Sequence, residues 1–246
     1  MQKDIRKERS FRNPSFGLFV LLQIFLFIRI LCIKEHTNFE EYFTVISAFL
    51  FATIHIENDT RSIATITALS LTLTADYFLV LSDPIRQLPA MVAFSITQLM
   101  YFVRILSETN KKNIAIDIIA RGIVITIAET AAILLLGKKA DALSIISVFY
   151  YVNLFANTAM AFLHVKKDPF FATGLFFFLC CDTIIGLTYA SDVYLVYTEG
   201  SFLYHLSHSS INWGWAFYIP SQTLIALSLP FGKDASKKPH EVPASI

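Results

Sequence analysis

Apolar runs separated by short polar segments cover most of the chain. A membrane-crossing helix needs about 17 to 25 mostly apolar residues, and eight successive runs approach or reach that length. They predict an all-α fold, a polytopic membrane helix bundle with about eight transmembrane helices. The predicted spans cover residues 16–33, 42–56, 62–81, 89–106, 114–136, 142–163, 170–190 and 212–231, of which 42–56 is the shortest.

Charged residues lie mainly between these runs, and their sign predicts how the bundle is oriented. With eight spans and an inner N-terminus, fourteen lysines and arginines fall on the inner side and four on the outer side. Cytoplasmic loops carry an excess of Lys and Arg, so we expect both termini in the cytoplasm. Residues 1–246 then form a single integral membrane domain, with a basic cytoplasmic N-terminus at 1–15 and a cytoplasmic tail at 232–246.

The composition supports a membrane protein and argues against several other classes. Hydrophobic residues make up 55% of the 246 and charged residues 16%, against about 25% charged in soluble domains. A net charge of +1 argues against a nucleic-acid partner. Cys32, Cys180 and Cys181 have no metal-ligand spacing, and the sequence contains no Gly-rich phosphate loop, nucleophile elbow or His-Glu-x-x-His motif. We therefore expect no cofactor and no metal.

Two of the apolar runs contain a single aspartate near the middle. Asp76 lies in the run 69–81, and Asp182 lies in the run 175–187. A carboxylate at membrane depth costs about 2.5–3.5 kcal/mol on insertion scales and marks a functional site by default. The alternative is a protonated or hydrogen-bonded aspartate that only holds helices together. The occurrence of two such residues favours the functional interpretation.

Further polar side chains are expected on the neighbouring spans, at depths that range from shallow to below the midplane. Depth can be counted at about 1.5 Å per residue, which places Asp76, Asp182 and Glu129 in the outer half of the membrane. Convergent polar groups in an apolar bundle are typical of a small-molecule site, although each is alternatively a simple interhelical hydrogen bond. The polar residues on the spans of opposite direction are Gln98, Tyr101, Tyr151, Asn153, Asn157, Tyr218, Ser221 and Gln222.

Two buried carboxyl groups suit acid–base chemistry. Burial among apolar side chains disfavours the ionised form, and a second carboxyl group nearby disfavours it further. One member of such a pair keeps its proton while the other acts as a base. We therefore expect Asp76 and Asp182 to form a catalytic pair, with either order of acid and base open.

Two other features each allow two interpretations. Arg121 in the fifth span either contacts a phosphate headgroup or pairs with Asp117, four residues earlier. The connection 191–211 contains many aromatic residues and no Lys or Arg. It is either an interfacial anchor, where amphipathic rings lie at headgroup level, or a lid or a lipid-headgroup contact.

Four short motifs occur in an order found in one family of membrane proteins. They are Ala75-Asp76, Gln98-Leu99-Met100-Tyr101, Cys181-Asp182 and Tyr218-Ile219-Pro220-Ser221-Gln222. The chain thereby resembles the YhhN-like proteins, the lysoplasmalogenase family, which have eight spans with Gly-Asp, His-Leu-x-Tyr, Ser-Asp and Tyr-x-x-x-Gln at these places. Ala75, Gln98 and Cys181 depart from the family's glycine, histidine and serine.

The resemblance implies an enzyme that hydrolyses the vinyl-ether bond of lysoplasmalogens to a fatty aldehyde and a glycerophospho-headgroup. Its partners would be a lysophospholipid substrate and the surrounding membrane lipids. Replacement of histidine at position 98 removes a group that titrates near neutral pH, which puts proton transfer from the fourth span in doubt. The residues implied are Asp76 and Asp182 as catalytic groups, with Gln222, Tyr218, Tyr101 and Gln98 positioning substrate or water.

Two other functions remain open at this point. The chain is alternatively a non-catalytic membrane transporter or lipid-binding protein that uses the aspartates for proton coupling, or a family relative made inactive by its three departures. Transporters of this kind are typically built with broken helices. Here only Pro220 clearly interrupts a predicted span, which favours the hydrolase.

Overall fold

A computed structural model describes residues 14–33, 35–108, 114–193, 200–207, 209 and 211–231. Within these ranges every regular element is helical. A π-helical turn, Tyr77–Leu81, continues the third helix, and a short 3-10 turn, Gly137–Lys139, follows the fifth. The helices are α1 (Pro14–Cys32), α2 (Asn38–Ile54), α3 (Thr60–Asp76), α4 (Gln87–Glu108), α5 (Ile114–Leu136), α6 (Ala142–Leu163), α7 (Pro169–Val193), α8 (Phe202–Ser207) and α9 (Trp213–Phe231).

The all-α prediction is confirmed, and each predicted span corresponds to one long helix. Six of the described helices are long and apolar enough to cross a membrane: α1, α3 with its π-turn, α4, α5, α6 and α7. The count of eight crossings is not confirmed, because α2 has only 17 residues and α9 contains several buried polar residues and two prolines. The short helix α8, within the aromatic connection, has no counterpart among the predicted spans.

The predicted cytoplasmic ends lie almost entirely outside the described residues. Of the segment 1–15 the structure describes only Pro14 and Ser15, which begin α1, and it describes none of 232–246. The cytoplasmic placement of both termini therefore stays a prediction from the distribution of Lys and Arg.

Side chains at the starts of several helices fix where those helices begin. Thr37 and Glu40 form a reciprocal capping box at the start of α2. Asp59 accepts a hydrogen bond from the backbone N–H of Ser62 at 2.7 Å, and Asp141 does the same for Ser144 at 2.8 Å. These acceptors satisfy N–H groups that have no partner within the helix. The register of α2, α3 and α6 is therefore set by local sequence.

The centre of the bundle is formed by α3, α4, α6, α7 and α9. The most extensive packing joins α3 to α4 and α7 to α9, while α6 packs against α4, α5 and α7. Helix α5 is peripheral, and most of its side chains are exposed. We call the end where α3 and α7 finish the upper end, and the end where they begin the lower end. Because α4, α6 and α9 run downward, distant residues meet at a few shared depths.

Gly174 allows α7 and α9 to approach closely. A Cβ atom added there would lie 2.8 Å from Ile225 Cγ1, 3.1 Å from the Ile225 backbone nitrogen and 3.2 Å from the Ser221 carbonyl oxygen. A backbone nitrogen and a backbone oxygen cannot move aside without shifting the helix. This contact therefore holds α9 in the position that brings its polar face to the bundle centre.

We expect Gly174→Ala to destabilise the protein by about 1–3 kcal/mol, the usual cost of an overpacked core. Gly186→Ala on the same helix is the matched control, because nothing lies within 4 Å of the added Cβ and alanine favours helix over glycine. Thermal unfolding in lipid nanodiscs measures both. Equal unfolding midpoints for the two variants would contradict a close contact at Gly174.

Candidate active site

Asp76 lies at the last residue of α3, where the backbone changes to the π-helical turn. Its side chain is 3% exposed, and Oδ2 accepts a hydrogen bond of 2.6 Å from the hydroxyl of Tyr218 on α9. A buried carboxyl group requires such a partner because its hydration is lost. The contact joins two residues that are 142 positions apart in the chain.

Asp182 on α7 has an equivalent partner on α6. Its Oδ2 accepts a hydrogen bond from the hydroxyl of Tyr150, which is itself buried. Asp182 is only half-buried, so its surroundings differ from those of Asp76. Each aspartate thus receives one phenolic hydrogen bond, and each tyrosine comes from a helix of opposite direction.

The two carboxyl groups belong to one site. Asp76 and Asp182 are close enough to interact electrostatically, and Tyr218 interacts with both. Two phenylalanine rings form a continuous aromatic row between the two tyrosines. The distances between ring centroids are 5.6 Å for Tyr150–Phe94, 5.9 Å for Phe94–Phe178 and 5.6 Å for Phe178–Tyr218.

A polar layer lies about one helical turn below the aspartates. Thr72 is four residues below Asp76 on α3, and Gln222 is four residues below Tyr218 on α9, so each lies on the same helix face as its neighbour above. Tyr101 interacts electrostatically with Asp76. Every member of the layer is no more than 1% exposed. The polar layer consists of Thr72, Gln98, Tyr101, Ser221 and Gln222.

Several atoms of the polar layer have no hydrogen-bond partner. Both amide atoms of Gln222, Oγ of Ser221 and Nε2 of Gln98 are buried without one. Tyr101 and Thr72 interact through their hydroxyl groups, but outside normal hydrogen-bond geometry. More than nine-tenths of buried polar groups in proteins are satisfied by protein or ordered water. This layer is therefore suited to holding a polar ligand.

A cavity of about 470 Å3 opens at the upper end of α7 and α9, beside the connection that joins them. Its lining includes Ile185, one turn above Asp182, and Gly214, one turn above Tyr218. Asn212 and Trp213 add polar and aromatic surface. The cavity volume lies in the range of small-molecule sites. Of the two aspartates, Asp182 is nearer to the lining residues along the chain. Neither aspartate is among the lining residues: the cavity lies above the carboxyl groups along α7 and α9, and the polar layer lies below them.

The model of the YhhN family matches residues 39–229 of the chain. The chain belongs to the YhhN family. No curated protein and no solved structure matches it. The matched range begins in α2 and ends in α9, so it contains both aspartates, both tyrosine partners and the whole polar layer. The resemblance drawn from the four motifs is thereby confirmed at the level of the family.

The three departures from the YhhN family motifs occupy buried positions. Ala75 is fully buried and Cys181 is 2% exposed, so the small side chains at both positions fit against the core. Gln98 is fully buried, and its Oε1 accepts a hydrogen bond of 3.0 Å from Asn157. None of the three removes a carboxyl group from the site.

Of the six residues proposed from the sequence, Asp76, Asp182, Tyr218 and Tyr101 interact with one another, and Gln98 and Gln222 are buried one turn lower on their helices. Tyr151 lies outside the site: it is exposed, and its hydroxyl bonds with Thr183. Glu129 on α5 interacts with the backbone of Phe149 and with neither aspartate.

The sequence analysis did not identify Tyr150 as a partner of Asp182, although the sequence contains a signal for it. Tyr150, Asn153 and Asn157 follow the i, i+3, i+7 spacing of one helix face, which excludes Tyr151.

Arg121 pairs with amides. Of the two interpretations offered by the sequence, the direct ion pair with Asp117 is not found, since the guanidinium group donates to Asn153 Oδ1 at 2.9 Å and to Asn157 Oδ1 at 2.8 Å. It also lies 3.8 Å from the centroid of the Phe102 ring. Asp117 interacts with it only electrostatically. The arginine is buried against α4 and α6 although α5 is otherwise exposed.

A second charged cluster lies at the lower end and was not predicted. Asp168 Oδ2 lies 3.0 Å from Arg61 Nη2 and 2.5 Å from Arg104 Nη2. Arg61 also donates to the carbonyl oxygen of Ser228 on α9, and the Arg104 guanidinium group lies 3.7 Å from the centroid of Phe171. The cluster joins α3, α4, α7 and α9 at the opposite end from the aspartate pair. We call it the lower ion cluster: Arg61, Arg104 and Asp168.

Proposed function

We propose that this YhhN family member is an intramembrane hydrolase that cleaves the vinyl-ether bond of lysoplasmalogens. The observation that carries the proposal is the pair Asp76 and Asp182, two carboxyl groups in one site, each with a tyrosine hydroxyl group and with a cavity above them. The substrate is a lysophospholipid. The products are a fatty aldehyde and a glycerophospho-headgroup.

The reaction needs one proton donor, one base and water. The acid transfers a proton to the alkene carbon two bonds from the ether oxygen, which leaves an oxocarbenium ion. The base removes a proton from water as the water oxygen adds to the carbon attached to the ether oxygen. The resulting hemiacetal then breaks its bond to the ether oxygen: the carboxylate left by the acid takes the hydroxyl proton, and the base, now protonated, gives its proton to the departing oxygen, so that aldehyde and alcohol form. One proton is taken up and one is released, so a protonated and an ionised carboxyl group suffice.

The different surroundings of the aspartates suggest how these roles are divided. Asp182 is half-buried and one turn below the cavity, so we assign it to proton donation onto the alkene. Asp76 is buried and one turn above the polar layer, so we assign it to the activation of water. Tyr218 holds Asp76 in place through its 2.6 Å hydrogen bond, and Tyr150 does the same for Asp182.

The direct test is aldehyde release from a lysoplasmalogen by the purified protein in lipid nanodiscs. The matched control substrate is the lysophospholipid with a saturated alkyl ether of the same chain length. It has the same headgroup and no alkene to protonate, so we expect no cleavage. Proton-coupled uptake into vesicles without turnover of either lipid would overturn the hydrolase and assign the transporter instead.

We expect Tyr218→Phe to lower kcat about tenfold to 10²-fold, because Asp76 loses the donor that orients its carboxyl group. Tyr151→Phe is the control, since it removes a hydroxyl group from an exposed residue on α6 that lies outside the site. Aldehyde release at saturating substrate measures both. A normal kcat for folded Tyr218→Phe would show that the hydrogen bond to Asp76 has no part in the reaction.

A further inference from the structure

A chain of hydrogen bonds runs from the peripheral helix α5 to the polar layer. Arg121 Nη2 donates to Asn157 Oδ1 at 2.8 Å. Asn157 Nδ2 donates in turn to the backbone oxygen of Gln98 at 2.8 Å and to its side-chain Oε1 at 3.0 Å. All three residues are buried. The chain therefore links a cation on α5 to a side chain one turn below the aromatic row.

The direction of this chain is fixed by chemistry. A guanidinium group has only donors, so the atom of Asn157 that faces Arg121 must be the oxygen. The nitrogen of Asn157 then faces Gln98, and the atom of Gln98 that faces it must also be the oxygen. Nε2 of Gln98 consequently points away from Asn157 as a donor, and it is buried without an acceptor. An amide assigned by such a network cannot be flipped without losing a hydrogen bond.

We propose that Arg121 and Asn157 are positioning residues that fix the amide of Gln98 so that Nε2 donates a hydrogen bond to a water molecule held in the polar layer. Ser221 and Gln222 supply further donors and acceptors for this water, since their polar atoms are buried and unpartnered. The inference rests on the proposed function, because the water is the one that Asp76 activates. It explains how an apolar bundle retains the second reactant of a hydrolysis.

Position 98 has to accept a hydrogen bond on one side and donate one on the other. A neutral imidazole also accepts at one ring nitrogen and donates at the other. Gln98→His should therefore keep the direction of the chain, and we expect it to retain most of the turnover. Gln98→Met fills a similar volume without a donor, and we expect kcat to fall about 10²-fold, as it does when one preorganised donor is removed.

The variant Asn157→Asp tests the direction of donation in the hydrogen-bond chain from Arg121 to Gln98. The new carboxylate still accepts from Arg121 but has no N–H for Gln98, so the Gln98 amide turns and presents Oε1 to the polar layer. We expect kcat to fall about 10²-fold with a smaller change in KM, since the water is misplaced and the cavity is untouched. Asn153→Asp is the matched control. It also faces Arg121, but its Nδ2 donates to the backbone oxygen of Phe149.

An experimental structure at a resolution that shows ordered water separates this inference from the proposed function. Density for water within hydrogen-bond distance of Gln98 Nε2 in the wild type, lost or moved in Asn157→Asp, would support it even if no lysoplasmalogen is cleaved. An empty polar layer in a map with clear water elsewhere would overturn it. Equal kcat for Asn157→Asp and Asn153→Asp, both folded and active, would overturn it as well.

Discussion

Asp76→Asn and Asp182→Asn should each lower aldehyde release by roughly 10²–10⁴-fold, the usual contribution of a general acid or base. Asparagine has almost the same shape as aspartate and still accepts a hydrogen bond, so Tyr218 and Tyr150 keep their partners. It can neither give up a proton to an alkene nor take one from water. The loss should therefore appear in kcat, with little change in KM and no loss of folded protein.

Asp141→Asn is the matched control for both variants. Asp141 begins α6 at the surface, where its Oδ1 accepts from the backbone N–H of Ser144, and asparagine caps a helix about as well as aspartate. We expect full activity from this variant. Full activity from folded Asp76→Asn and Asp182→Asn would contradict the acid–base mechanism, whereas loss from only one of them would reduce the pair to a single catalytic carboxyl group.

The sequence was sufficient to predict the helices and both aspartates for a simple physical reason. In lipid a spanning segment must satisfy its own backbone groups, so an apolar run of the right length can only be a helix. The length and position of each run then give the helix, and an isolated carboxylate within it is conspicuous. Asp76 lies at the end of α3 and Asp182 near the middle of α7, both in helices that the apolar runs predicted; their depth in a membrane stays a prediction.

The partners of these residues depend on which helix faces which, and apolar length carries no information about that. Tyr150 and Tyr151 are neighbouring residues of the same type, so composition does not distinguish them. Tyr150 binds Asp182, whereas Tyr151 is exposed on the bundle surface. The partners of Arg121 could not be predicted from the sequence either. Asp117 is a nearby residue of opposite charge on the same helix, but the arginine donates instead to two amides on α6. Helix-face spacing resolves the tyrosines, but the amide partners follow only from the packing of α5 on α6.

The lower ion cluster illustrates a further limit on prediction. Arg61, Arg104 and Asp168 lie at or just outside the ends of their predicted spans, where isolated charges are typical of loops at the membrane surface. The structure instead buries them, at 8%, 1% and 6% exposure. The Asp168 carboxylate forms ion pairs with both arginines and also accepts a hydrogen bond from the backbone N–H of Phe171 at the start of α7. Only the antiparallel meeting of four helix ends makes this arrangement possible.

Asp168→Asn is expected to lower the free energy of unfolding by about 3–5 kcal/mol, the cost of leaving buried charge without its partner. The variant removes the carboxylate that both buried guanidinium groups contact, at the point where α3, α4, α7 and α9 converge. Because the aspartate pair lies higher in the bundle, on α3 and α7, activity should fall only as folded protein is lost. Thermal unfolding in nanodiscs, together with activity per folded molecule, measures the two effects separately.

Glu40→Gln provides the comparison, because Glu40 also pairs with an arginine, at 2.8 Å from Arg29, but both side chains are partly exposed. Glutamine keeps the capping box of α2, and exposed pairs contribute about 0–1 kcal/mol. We expect this variant to unfold close to the wild-type temperature. If Asp168→Asn were no less stable than Glu40→Gln, the lower ion cluster would not be what holds the four helices in register below the aspartate pair.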